Sequence, residues 1–304
     1  MTTLTPETAI QAEPTDLPMK LPRRRRNLSG KLWAFAIASY LLLVLLALVY
    51  IYPFLISVAG SFKTDAEATQ DPLALIPQTW TFAAYERLFT DVPLPLWTFN
   101  SAFVTIIVTC GRVFFDSLAG YALSRLKFGG RTVIFAAIIA VMAVPNVVLL
   151  IPRFLILKQL GIWDSYTAMI LPLIVDAAGI FIMKQFFESI PVSVEEAARI
   201  DGAGIFRTFW TIVLPMARPA LITLFILSFQ GSWNEFAHFI ISRQSTSLNT
   251  LTTGVASLTS GELGTGNQFP LKLAAAVLMS IPVAVLFFVF QKRIMNSSEG
   301  AEKG

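Results

Sequence analysis

The chain has 304 residues, of which 55% are hydrophobic and only 14% are charged, so it is too apolar for an ordinary soluble domain. Its net charge of +4 does not indicate a nucleic-acid partner, because the distribution of the basic residues is explained by membrane orientation. The single cysteine, Cys110, excludes an internal disulfide and a CxxC motif, and is expected to be a small buried residue. The single histidine, His238, leaves imidazole chemistry without a second partner.

Apolar runs dominate the chain after residue 31. Residues 1–31 are polar and basic, with four consecutive arginines at 23–26, and predict a disordered cytoplasmic tail. Crossing a bilayer core takes about 20 apolar residues of helix. Runs that meet this requirement lie around residues 32–62, 96–123, 132–151, 165–183, 219–241 and 273–291. We therefore predict an all-α integral membrane domain of six transmembrane helices over residues 32–292, followed by a C-terminal tail over residues 293–304.

The lysines and arginines predict the orientation of these spans. If the N-terminus is cytoplasmic and the spans alternate, 16 of the 23 basic residues lie in cytoplasmic segments and six lie in outer loops. The remaining one, Arg112, lies within the second span. This asymmetry follows the positive-inside rule and places both termini in the cytoplasm.

The cytoplasmic loop between the fourth and fifth spans, residues 186–218, is long and does not have the composition of a disordered segment. Ser193 and Glu196 have the spacing of a capping box, in which the serine oxygen accepts from the Glu196 amide and the carboxylate bonds back to the serine amide. Gly202 stands where a helix would end in a left-handed residue. This part of the loop is therefore predicted to be a short capped helix.

A second short helix is predicted from Ile205 to Val213, with an apolar face that includes Phe206 and Phe209. Pro215 is expected to end it before the fifth span begins. Two short helices broken at a glycine would form a rigid knob for a partner protein. The alternative is a plain re-entry loop whose amphipathic helix lies on the membrane surface.

This loop resembles the EAA loop of ABC importer permeases. The motif comprises Glu196-Ala197-Ala198, three residues, Gly202, nine residues and Ile212-Val213-Leu214-Pro215, and this sequence matches it at every defined position. Flanking stretches, which include residues 121–125 and 233–236, resemble the carbohydrate branch of the family and subunits similar to the smaller maltose-system permease. We refer to residues 186–218 as the EAA loop.

The resemblance implies the architecture of a type I ABC importer in the cell membrane. This chain would pair with a second homologous permease subunit around a shared path for a small solute, here a sugar. Two ATPase subunits would bind the pair on the cytoplasmic side of the membrane, and a solute-binding protein would dock on the outer side. The residues that we assign to ATPase coupling on this basis are Ser193, Glu196, Ala197, Ala198, Gly202, Ile212, Leu214 and Pro215.

No G-x-x-x-x-G-K-[ST] motif for binding nucleotide phosphates occurs in the chain. ATP and Mg²⁺ are therefore expected in a partner ATPase, and neither a cofactor, a metal nor an enzymatic activity is expected in this chain. An integral-membrane enzyme, a membrane scaffold and an ABC permease for a non-sugar solute are the alternatives. The enzyme would need a paired acid and base, a metal cluster or an activated nucleophile, for which the residues offer no candidate group.

Polar side chains inside the predicted spans are candidates to line the transport path. Asp176 in the fourth span has no partner visible in the sequence, and Asn146 follows Pro145 in the third span. For both, a structural role within the helix bundle is the alternative. Arg112 and Asp116 are four residues apart on one face of the second span, which predicts an ion pair, with a transport role as the alternative.

Overall fold

The computed structural model describes residues 30–258 and 268–301, and these residues form helices and loops without a strand. In chain order the helices are α1 (Gly30–Ser61), α2 (Asp65–Gln70), α3 (Ala83–Thr90), α4 (Leu94–Arg125), α5 (Arg131–Met142), α6 (Leu150–Gln159), α7 (Tyr166–Ile170), α8 (Ala177–Ser189), α9 (Val192–Ile200), α10 (Ile205–Thr208), α11 (Leu214–Met216), α12 (Arg218–Trp233), α13 (Ala237–Ser242), α14 (Leu251–Ser257) and α15 (Phe269–Ala301). Most of the predicted basic tail lies outside the described residues. The predicted C-terminal tail continues α15 as far as Ala301.

The chain divides into two units, Met1–Tyr52 and Pro53–Gly304. The described part of the first unit is the beginning of α1, an apolar helix at the position of the first predicted span. The second unit contains the rest of α1 and all the other helices. The EAA loop and the candidate path residues therefore belong to the second unit.

Four helical segments are long and apolar enough to cross a membrane: Phe35–Ser61, Leu94–Arg125, Tyr166–Ser189 and Phe269–Gln291. Two bent pairs of helices raise this number to as many as six, if each pair counts as one span. These pairs are α5 with the segment Asn146–Gln159, bent by 99°, and Ile205–Met216 with α12, bent by 79°. The membrane character of the chain thus agrees with the sequence, whereas several of the predicted spans are bent or interrupted helices.

The third predicted span, residues 132–151, is the clearest departure. α5 ends at Met142, and a 3-10 turn at Asn146–Leu149 starts the differently oriented segment that contains α6. Pro145 carries extended backbone angles (φ −60°, ψ 130°) and has no amide hydrogen, so the α-helix cannot continue through it. The side chain of Asn146 is exposed at this break.

The fourth predicted span is interrupted near its middle. α7 leads into a 3-10 turn at Leu171–Leu173, and α8 starts only at Ala177. Pro172 removes one helical hydrogen bond in this turn. Asp176 caps α8, because its backbone is extended and its Oδ2 accepts from the amide of Gly179 at 3.2 Å.

Arg112 and Asp116 each bind one side of this interruption, and the predicted ion pair between them does not occur in the described part of the chain. Arg112 Nε donates to the carbonyl of Leu173 at 2.7 Å. Asp116 Oδ1 accepts from the amide of Asp176 at 3.0 Å. Backbone groups freed inside a membrane need partners, and this demand explains why the two side chains bind the broken helix and do not pair with each other.

The fifth predicted span, residues 219–241, also consists of two pieces. α12 ends at Trp233, and α13 is a separate helix that starts at Ala237. Glu235 lies in the break, where its Oε1 accepts from the amides of Phe236 and His238. This carboxylate binds amides that the start of α13 leaves without helical partners, which helps the chain begin a new helix at this point.

Three apolar clusters form the core among the described residues, and α4 contributes to all of them. They contain, respectively, Trp97 with Trp233, Tyr121 with Phe187 and Phe209, and Val104 with Met169 and Phe239. Cys110, also on α4, is exposed, contrary to the prediction that it is buried. α4 is thus the helix around which the second unit packs.

Candidate coupling site

The first helix of the EAA loop, α9, starts at Val192, and its N-cap residue is Pro191. The predicted capping box of Ser193 and Glu196 is wrong, because Ser193 lies inside the first turn and no side chain caps the helix. Pro191 has φ −58° and ψ 132°, an extended conformation that lets the helix begin at the next residue. A serine at the second helical position cannot act as the N-cap.

Gly202 ends α9 as the sequence predicts. Its φ is +80°, in the left-handed region. The amide of Gly202 donates to the carbonyl of Arg199 at 3.0 Å, and the amide of Ala203 donates to the carbonyl of Ala198 at 2.9 Å. These two hydrogen bonds constitute a Schellman motif, which satisfies carbonyls that the helix end leaves free.

A side chain at Gly202 would meet no atom within 4 Å of its Cβ. A glycine is required here because of the left-handed backbone conformation and not because a side chain would lack space. The break between the two short helices of the EAA loop is therefore a property of the main chain.

The second helical part of the EAA loop extends further than predicted. α10 is followed by a π-helical turn at Phe209–Val213 and by α11, so that Pro215 lies inside the helical run, which ends at Met216. The amide of Leu214 bonds to the carbonyl of Phe209, five residues back. The prediction that Pro215 ends this helix is wrong, because the proline occupies the beginning of α11, where it needs no hydrogen-bond donor.

The residues assigned to ATPase coupling divide between surface and interior. Ser193, Glu196, Ala197, Gly202 and Pro215 are exposed, Ile212 and Leu214 are half-buried, and Ala198 is buried.

Large apolar side chains of the same loop are also exposed. Ile200 is 86% exposed, Phe206 is 77% exposed, and Ile205 and Val192 are exposed as well. Phe209 was predicted to share the apolar face of Phe206, but it is buried, with its ring 4.9 Å from that of Tyr121. The EAA loop thus has one face packed on its own chain and one apolar face that the chain leaves uncovered.

Glu195 is the buried acid of α9, and the sequence analysis missed it. Its carboxylate lies 3.0 Å from Arg125 Nε, and its Oε2 accepts from the hydroxyl of Tyr121 at 3.2 Å. The signal that would have found it is the helical spacing of Glu195 and Ala198, three residues apart on the buried face of α9.

The two candidate path residues lie elsewhere. Asn146 and Asp176 occupy the breaks in the third and fourth predicted spans, whereas the coupling residues lie between residues 192 and 216. Asp176 is half-buried and caps α8, and Asn146 is exposed. In the ranges that the structure describes, no group of three or more His, Cys, Asp or Glu side chains could hold a metal ion.

Known proteins are similar to this chain in sequence. Residues 116–297 match the family described as the inner membrane component of binding-protein-dependent transport systems. The sulfoquinovosyl glycerol transport system permease protein SmoH of Agrobacterium fabrum is similar to this chain, with 37% identity over 279 residues that cover 91% of this chain and 95% of SmoH. The arabinooligosaccharides transport system permease protein AraQ of Bacillus subtilis is 32% identical over 274 residues, covering 89% of this chain and 96% of AraQ.

A solved structure extends the likeness to the fold. A chain of a bacterial ABC transporter involved in the import of the acidic polysaccharide alginate superposes with a TM-score of 0.76 at 27% identity, covering 87% of this chain and 98% of that chain.

Proposed function

Because the chain belongs to the family of inner membrane components of binding-protein-dependent transport systems, we propose that its EAA loop docks on an ATPase subunit and transmits ATP-driven closure to the transport path. The chain is a permease subunit of an ABC importer, in which a separate subunit hydrolyses ATP. The observation that carries the proposal is the uncovered apolar face of the EAA loop, next to a helix end that the Schellman motif fixes. An exposed apolar patch on a rigid element is typical of a protein–protein contact.

The proposed assembly follows from this role. A second homologous permease subunit completes the path, two ATPase subunits bind on the cytoplasmic side, and a solute-binding protein delivers the solute on the outer side. We propose six spans in the cell membrane with both termini in the cytoplasm, in which α12 belongs to the fifth span and the segment Ile205–Met216, bent from it by 79°, belongs to the cytoplasmic EAA loop. The distribution of lysine and arginine supports this orientation. Asp176 and Asn146 remain the candidates for lining the path.

The proposed solute is a di- or oligosaccharide or a sugar derivative. SmoH is named for sulfoquinovosyl glycerol and AraQ for arabinooligosaccharides, and the similar structure belongs to a transporter involved in the import of the acidic polysaccharide alginate. These relatives share a sugar skeleton and differ in charge, so the sugar skeleton is what they support for this chain.

Site-directed cross-linking tests the docking. A cysteine at the exposed Ala197 should cross-link to the ATPase subunit in the assembled complex, after replacement of the exposed Cys110 by serine. The yield should change when ATP is bound but not hydrolysed, because closure of the ATPase pair moves the cleft. Ala198→Cys is the matched control: its side chain is buried within the chain and should give little cross-linking.

A helix that lies on the membrane surface would give a different result. Its apolar face would be buried in lipid headgroups, and cysteines at Ala197 and Ala203 would react with lipid-soluble reagents without cross-linking to protein. That result would rule out the coupling role.

A further inference from the structure

A buried ion pair connects α9 to α4. Glu195 is 3% exposed and Arg125 is 8% exposed, and the pair is formed by Arg125 Nε and Glu195 Oε1 at 3.0 Å. The hydroxyl of Tyr121 donates to the second carboxylate oxygen at 3.2 Å. Since Tyr121 and Arg125 both belong to the last turns of α4, the pair connects the EAA loop to the cytoplasmic end of that helix.

Arg125 also binds the end of α8. Its second guanidinium nitrogen donates to the carbonyls of Phe187 and Ile190, which lie at the C-terminal end of this helix. A cation is favourable at a helix C-terminus, where carbonyls are left without partners. One guanidinium therefore contacts α8, α9 and the turn between them.

The opposite end of α8 is bound to α4 by Asp116, which accepts from the amide of Asp176. Between the two ends the helices approach closely. A Cβ at Gly120 of α4 would lie 2.8 Å from the Cβ of Met183, and a Cβ at Gly179 of α8 would lie 2.1 Å from Asp116 Oδ2. α4 and α8 are thus in contact along their length, with small residues at the points of closest approach.

Separating α9 from α4 would be costly. A buried ion pair that loses one partner leaves a charge without compensation in a medium of low dielectric constant. The exposed ion pairs of the outer loop carry no such penalty, since water replaces the lost partner. Arg125 and Glu195 therefore favour joint movement of the helices that they connect.

We propose that Arg125 and Glu195 are positioning residues that join α4, α8 and α9 into one body, so that a displacement of the EAA loop moves the break at residues 171–176 with it. The inference rests on the proposed docking of the EAA loop on an ATPase. Tyr121 supports the pair by orienting the carboxylate of Glu195.

The distance between two spin labels, measured by pulsed electron paramagnetic resonance, tests this inference. Nitroxides on Arg199→Cys in α9 and Leu96→Cys at the outer end of α4 would be placed in the assembled complex with Cys110 replaced by serine. α4 has 32 residues and a length of about 48 Å, which suits the method. The distance should keep its mean between the nucleotide-free complex and the complex trapped with ATP and vanadate.

Variants test whether the pair of Arg125 and Glu195 is the reason that the distance stays constant. In Glu195→Gln we expect the distance distribution to broaden and its mean to shift between the two states, and in Tyr121→Phe a smaller broadening. Asp91→Asn is the matched control. It removes the carboxylate from the exposed ion pair between Asp91 and Arg87, and it should leave the distance distribution as in the wild type. A nucleotide-dependent shift in the wild-type complex, or an unchanged distribution in Glu195→Gln, would overturn the inference.

The wild-type measurement keeps the inference falsifiable if Glu195→Gln does not assemble. Failure of the proposed function has another signature, since the cross-link between Ala197 and the ATPase would then be missing. If that cross-link forms while the wild-type distance shifts, the docking stands and only the joint movement of α4, α8 and α9 is wrong.

Discussion

Two residues that shape the helix ends of this chain act on the backbone. Gly202 supplies a left-handed conformation without a steric demand on its neighbours, and Asp176 supplies an oxygen to the amide of Gly179. The sequence predicted the role of Gly202, because a positive φ follows from residue type. It did not predict the partner of Glu195, because Arg125 lies 70 residues earlier and only the packing of α4 on α8 brings it near.

Substitutions at Gly202 should separate conformation from size. Gly202→Pro can neither adopt a φ of +80° nor donate to Arg199, so the loop should lose its shape and the ATPase should no longer co-purify, with normal membrane insertion. Gly202→Ala should cost about 1–2 kcal/mol of local stability and reduce the yield of co-purified ATPase. Gly202→Asn is the control, since asparagine tolerates this region and nothing blocks its side chain. Equal yields for all three variants would contradict the assignment.

Asp176 has a structural role that can be tested apart from a role in the path. Asp176→Ala removes the cap of α8 and should destabilise that helix by about 0.5–2 kcal/mol, whereas Asp176→Asn retains an equivalent cap. If the carboxylate lines the path, Asp176→Asn should lower the uptake of sugar while the assembled complex keeps its thermal stability. Wild-type uptake in Asp176→Asn, combined with loss of assembly in Asp176→Ala, would leave only the structural role.

Elements differ in how far the sequence predicts them. The long apolar helices α1, α4 and α15 lie where their hydrophobic runs predict them, since length and composition suffice for a span. The breaks at Pro145 and Pro172 were not predicted, because a proline inside a membrane helix is compatible with both a kink and a full interruption. Which of the two occurs depends on partners elsewhere in the fold, such as Arg112 for the carbonyl of Leu173.

A second tertiary contact fixes the connection between α6 and α7. Asp164 has a φ of 58°, and its carboxylate accepts from the amides of Gln244 and Ser245 at 2.7 and 2.8 Å. The hydroxyl of Ser245 also donates to it, at 2.5 Å. Together, the hydroxyl and the amides lower the pKa of Asp164 below its ordinary value.

This contact predicts a pH dependence. A carboxyl group whose pKa is lowered by folding stabilises the fold above its ordinary pKa and loses that effect as the pH falls through the folded value. At pH 7 the amides of Gln244 and Ser245 should therefore exchange with solvent faster in Asp164→Asn than in the wild type. The ratio of the two rates should begin to fall below the ordinary pKa of an aspartate, about 3.9, and approach one only below the lowered pKa of Asp164. A ratio that does not depend on pH would show that the charge of Asp164 contributes nothing.

For the whole molecule, composition predicts the class and the motif predicts the family, but neither predicts the packing. The EAA spacing indicated the family, and the family match over residues 116–297 confirms that indication. The interior contacts of the loop depend on α4, which no local pattern connects to it. The burial of Phe209 against Tyr121 shows this most clearly, because the local periodicity assigned Phe209 to the same exposed face as Phe206.

Orientation in the membrane is testable at the scale of the whole chain. The proposed topology places the exposed Gln70 in the first outer loop and the exposed Gly129 in a cytoplasmic loop between α4 and α5. In intact cells without Cys110, a membrane-impermeant maleimide should label Gln70→Cys and not Gly129→Cys. Permeabilised cells should label both. The reverse pattern would invert the proposed topology.

The three polar anchors of α4 also restrict how this helix can move. Arg112 binds the carbonyl of Leu173 within the break, Asp116 binds the amide of Asp176 directly before α8, and Arg125 binds the carbonyls at the C-terminal end of α8. Translation of α4 along α8 by one helical turn, about 5.4 Å, would release all of these contacts at once. Rotation of the joined helices about a distant point releases none of them. The geometry therefore favours opening and closing by pivoting and disfavours a screw-like sliding of one helix past the other.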